Sequence, residues 1–94
     1  MDATADFIRD GLGKLKGLPA PVSDWRVRTG EDWVGDPAVW VWPVLAEEDT
    51  DFATCEKLRE RVRDEVSRLT RARTGEPLWA FVRFLWPSDI EDGA

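Results

Sequence analysis

Apolar positions along this chain change period several times, and each change marks an element. Over residues 3–16, Ala5, Ile8, Leu12 and Leu15 recur at spacings of three and four, which puts them on one side of a helix. Asp2 or Thr4 can cap its start, Lys14 and Lys16 suit its negative end, and Gly17 with Pro19 stops it. Gly11 and Gly13 each lower its intrinsic stability by roughly 1 kcal/mol relative to Ala, so this helix depends on packing.

The period then drops to two. In DWRVRTG (24–30), Trp25, Val27 and Thr29 alternate with Arg26 and Arg28, as expected for a half-buried strand. TGEDWVGDP has the glycines, acids and proline of a hairpin loop. A second strand follows from Ala38 to Ala46, with Trp40, Trp42 and Val44 on one face and Val39, Val41 and Leu45 on the other. Neither face is polar. Pro43 cannot donate to a ladder, which predicts an edge or a bulge there.

Helical spacing returns over about residues 50–72, where Phe52, Cys55, Leu58, Val62, Val66 and Leu69 form one stripe. Asp49 or Thr50 is the expected cap, with Asp51 near the positive end. Arg61 with Glu65, and Asp64 with Arg68, are the expected ion pairs of its exposed side. TGEP (74–77) ends the helix. A last strand, Leu78–Trp86, sets Trp79, Phe81 and Leu85 opposite Ala80, Val82, Phe84 and Trp86, with only Arg83 interrupting. Pro87 stops it, leaving residues 88–94 as an acidic tail after a single domain spanning 1–87.

The order helix–strand–strand–helix–strand predicts an α+β two-layer sandwich. A hairpin plus a third strand reached through a helical crossover gives a three-stranded mixed sheet with both helices on one face, a split ferredoxin-like arrangement. Two helices cover one sheet face, yet the second and third strands are apolar on both. Trp40, Trp42, Trp79 and Phe81 can align as one panel, at about 150–250 Å² per aromatic side chain, and a patch that large usually marks an interface. The alternative is that the first helix or the proline-rich linker folds across the second face. Trp25 and Trp33 are expected to close the core at the hairpin end.

Composition narrows the chemistry. At 43% hydrophobic and 34% charged residues the chain is too apolar for disorder. No apolar run approaches the roughly 20 residues of a membrane span. The acidic, amphipathic start differs from a signal peptide and Cys55 has no disulfide partner, which leads to the expectation of a cytoplasmic protein. Histidine and tyrosine are absent, which removes the commonest general base and excludes Ser–His and Cys–His nucleophile pairs within the chain. Cys55 lies on an apolar stripe, as an inert core thiol would. GEDWVG (30–35) has neither the spacing nor the lysine of a phosphate loop, and its neighbouring acids would repel a phosphate. Glu31, Asp32 and Asp36, and Glu47, Glu48, Asp49 and Asp51, read as solvated loop and helix-start acids; a carboxylate site for a divalent cation is the competing reading. No metal and no cofactor is implied.

The net charge of −6 opposes nucleic acid and anionic lipid, although residues 56–76 carry a local excess of +2. The expected function is therefore a non-catalytic, cytoplasmic protein–protein interaction module or small accessory or regulatory subunit. It would pair as a homodimer, or dock on a larger protein, through Trp40, Trp42, Trp79, Phe81 and Trp86, with Arg83 as a polar anchor. Single-stranded RNA or DNA stacked on the same aromatics is the competing class.

Overall fold

The structure, a computed structural model, describes residues 3–91; Asp2 and residues 92–94 lie outside that range. Element order is α1 (Ala3–Gly13), β1 (Val22–Glu31), β2 (Pro37–Leu45), α2 (Phe52–Thr74), β3 (Trp79–Val82) and α3 (Pro87–Glu91). The sheet is three-stranded in the order β1-β2-β3, with β1 and β2 antiparallel and β2 and β3 parallel. α1 lies over β1, and α2 over β3. The fold is the expected α+β sandwich, with both long helices on one face.

The core forms where the two periods meet. Ile8 and Leu12 of α1, Trp25 of β1, Val39, Val41 and Leu45 of β2, Leu58, Val62 and Val66 of α2, and Ala80, Val82 and Phe84 beside them make one buried cluster. Phe52 departs from the expected stripe. It is the first residue of α2 and is 80% exposed, while the buried part of the stripe starts at Cys55. The cap is Asp51, not Asp49 or Thr50: its carboxylate accepts from Thr54 N–H at 2.7 Å. Hydrogen bonding from Thr54, through its side chain first and its backbone N–H second, holds the Asp51 carboxyl below its ordinary pKa. At the other end Gly75, with φ at 88°, takes the left-handed conformation that closes a helix and donates to Arg71 O at 2.9 Å. The ion pairs of α2 are Arg59–Glu56 and Arg68–Glu65, at i,i+3, and not the expected pairs at i,i+4. Arg61 instead donates to Lys16 O at 3.0 Å, tying the linker to the helix.

Pro43 is in the central strand and not at an edge, and the structure shows how that is accommodated. Arg83 N–H donates to Val41 O (2.9 Å), Leu85 N–H to Pro43 O (3.0 Å) and Leu45 N–H to Leu85 O (2.8 Å). A continuous parallel ladder would add a bond from the N–H of residue 43 to Arg83 O, and proline has no N–H. Regular pairing of β3 stops at Val82 and returns only as an isolated bridge between Val44 and Leu85. The last strand is thus four residues long, shorter than expected. The bulge is in β1, between Val22 and Asp24.

The chain after β3 also differs from a frayed tail. Pro87–Glu91 form a short helix in which Asp89 accepts from Trp86 N–H at 2.8 Å, half of a capping box. α1 ends at Gly13, three residues early, because Lys14 and Leu15 bond to Gly11 O and Leu12 O in the tighter i→i−3 pattern.

The two glycines of α1 are not equivalent. A Cβ on Gly11 would lie 2.7 and 2.8 Å from the two Cδ atoms of Leu69, whereas nothing lies within 4 Å of one on Gly13. Gly11→Ala is expected to destabilise by about 1–3 kcal/mol, because buried Leu69 must leave its place. Gly13→Ala is expected to stabilise by up to about 1 kcal/mol through helix propensity. Urea unfolding of both variants checks this, and equal shifts would remove the close helix contact as the cause.

Candidate interaction surface

The strand register decides which side chains share the bare face. Arg28 pairs with Trp40 and Arg26 with Trp42 across β1 and β2, while Ala38 pairs with Trp79 and Trp40 with Phe81 across β2 and β3. Because side chains alternate, Ala38, Trp40, Trp42, Trp79, Phe81, Arg26 and Arg28 all point away from the helices. The expected panel of Trp40, Trp42, Trp79 and Phe81 is therefore brought together on one surface. Trp79 is 55% exposed, the other three are half-buried, and no helix or linker covers them. Arg83 is exposed beside them. Trp86 is not part of this group: it packs edge-on against Phe84 (6.3 Å) at the margin of the core.

The rings stand in a row across the strands. Phe81 stacks on Trp40 with centroids 5.5 Å apart and planes at 23°. From the other side the Arg28 guanidinium sits 4.8 Å from the Trp40 ring and 5.9 Å from Trp42. Planar groups on β3, β2 and β1 thus follow one another at about the spacing of neighbouring strands. Trp33 extends the row: it leaves the core for the loop, is 84% exposed, and meets Phe81 at 5.7 Å.

Two arginines of α2 reach round β3 to border this face. Arg63 lies 4.3 Å from the Trp79 ring centroid and donates through Nε to Ala80 O at 3.1 Å. Arg59, one turn earlier, covers Phe84 at 5.1 Å and pairs with Glu56. Trp40, Trp42, Phe81, Arg59, Arg63 and Arg83 border a groove of about 610 Å³. Among the described residues, Arg26, Arg28, Arg63 and Arg83 join no ion pair. A molecule of net charge −6 has collected cations without carboxylate partners on this aromatic face.

The other sites have structural explanations. Asp32 holds the hairpin loop, its carboxylate accepting from Val34 N–H and Asp36 N–H, both at 3.0 Å. Glu48 accepts from Ser88 N–H, and Asp51 caps α2. No three carboxylate or thiol groups among the described residues are arranged to hold a metal ion. Cys55 is buried, and desolvation raises its thiol pKa, which leaves it a poor nucleophile at neutral pH. A second groove, about 620 Å³ between α1 and α2, mixes Lys14, Lys16 and Arg61 with Asp10 and Glu65. Glu65 is already engaged by Arg68, whose hydrogen bond lowers its pKa.

Sequence reasoning missed Arg28, Arg59, Arg63 and Trp33 as members of the surface. The one-turn spacing of Arg59 and Arg63 was a usable signal, but only with the position of α2 against β3 known. In comparisons with family models, curated proteins and solved structures nothing matches this chain, so its surface chemistry alone carries the functional reading.

Proposed function

We propose that this protein is a non-catalytic association module, an accessory or regulatory subunit that docks a different protein on its aromatic sheet face. The observation that carries this reading is the sheet face itself: Trp40, Trp42, Trp79 and Phe81, exposed or half-buried with no described helix laid across them, and bordered by arginines that join no ion pair among the described residues. Aromatic residues and arginine dominate binding energy at interfaces, and an open apolar panel on a small domain is costly without a partner. Self-pairing is the weaker form of the reading. A two-fold dimer through this face would set a surface carrying Arg26, Arg28 and Arg83 against an identical, equally cationic surface of the second copy.

The test is gentle purification of tagged protein from its native host, with nuclease, followed by size exclusion with light scattering. A stoichiometric companion is expected, and Trp79→Ala with Arg83→Glu should release it without lowering the melting temperature. A clean homodimer, or a companion retained by the double variant, would overturn the reading.

A further inference from the structure

We infer that the occupant of this face is an acidic, extended segment of the partner, carrying an aromatic or aliphatic anchor between carboxylates. The inference rests on the docking role proposed above and names the chemistry of what docks. Three features of the groove carry it.

The first is charge. Arg59, Arg63 and Arg83 converge on the groove, Arg26 and Arg28 continue along the same face, and Glu56, bound to Arg59, is the one acid in the lining. Guanidinium groups without carboxylate partners pair with incoming carboxylates in short, geometrically defined bonds. The second is size. A groove of about 610 Å³ with Trp40, Trp42 and Phe81 in its wall accepts an apolar side chain between such carboxylates. The third is the strand edge. Arg63 already occupies Ala80 O, so the segment lies across the side chains and does not add to β3 as a fourth strand.

Nucleic acid fits less well. Base stacking needs an open ring face, and Trp40 has Phe81 on one side and Arg28 on the other. Trp79 has the Arg63 guanidinium against its ring. The rest of a molecule whose total is −6 would also repel a phosphate chain running beyond the groove.

Indole N–H resonances of ¹⁵N-labelled protein report the test, with buried Trp25 as internal control. The titrants are a random glutamate–tyrosine copolymer, polyglutamate, a lysine–tyrosine copolymer and oligouridylate. The glutamate–tyrosine copolymer is expected to shift the Trp40, Trp42 and Trp79 signals, leave Trp25 in place, and bind more tightly than polyglutamate. Arg83→Glu should weaken it by about tenfold or more, and Arg83→Lys by much less.

Equal binding of polyglutamate would overturn the anchor. Equal binding of the lysine–tyrosine copolymer would overturn the acidic chemistry but leave the face a docking surface. Tighter binding of oligouridylate would replace a protein segment with single-stranded nucleic acid. If no titrant moves the indole signals, the inference fails. The docking role fails with it only if purification also yields a clean homodimer or a companion that survives Trp79→Ala with Arg83→Glu.

Discussion

Leu58→Ala is expected to lower the unfolding free energy by about 2–5 kcal/mol. Leu58 is fully buried near the middle of the α2 stripe, in the cluster that joins Ile8 and Leu12 of α1 to Val39 and Val41 of β2. Truncation removes apolar area and leaves a cavity between layers that cannot close, because the sheet and α1 are held by other contacts. A small domain has only about 5–15 kcal/mol in total. Each kcal/mol moves the melting temperature of a domain this size by about 4–8 °C, so a fall of tens of degrees should be seen by far-UV circular dichroism. Phe52→Ala is the control. That ring is 80% exposed, so the change is expected to stay within about 0.5 kcal/mol. If the two variants melt alike, the core does not lie where this structure puts it.

Thr70→Val should cost about 1–3 kcal/mol although it preserves shape. Thr70 is fully buried, and its hydroxyl does two things at once. It donates to Val66 O at 2.8 Å and accepts from Leu78 N–H at 2.9 Å. The second bond fastens the segment entering β3 to the helix it has just left. Valine fills the same volume but leaves the Leu78 N–H without its acceptor. Thr70→Ser keeps the oxygen and loses a methyl, so it should fall between wild type and valine. Urea midpoints order the three proteins, and hydrogen exchange at Leu78 should rise most in valine. A valine variant as stable as wild type would mean that Leu78 N–H finds water at no cost, and that β3 is placed by packing alone.

These two residues separate what a pattern can show from what it cannot. Leu58 is legible from spacing, because a helix that must bury one side repeats its apolar residues every three or four positions. Thr70 sits among charges near the end of the same helix, and nothing in its neighbours marks it as buried. Its importance comes from Leu78, which the turn at Gly75 brings back against it. The aromatic panel divides in the same way. Alternation groups Trp40 with Trp42 and Trp79 with Phe81 within their own strands. Joining the two pairs on one bare face needed the register of β2 with β3, and its cationic border needed the register of β1 and the position of α2.

By itself the amino-acid sequence determined the order of the two long helices and three strands, the two-layer class, most of the core and the excess of apolar sheet surface. All of these follow from local periodicity, turn residues and a count of faces against helices. Tertiary structure decided the rest. It sent Trp33 out of the core and onto Phe81, and turned Phe52 to solvent. It put Pro43 in the central strand at the cost of a broken ladder, and separated Gly11 from Gly13 by the presence of Leu69. It also gathered five arginines from one strand, a helix and a connecting segment along one side of an acidic molecule. The physical reason is common to all of them. Periodicity records which way a side chain points from its own element, and only packing decides what stands opposite.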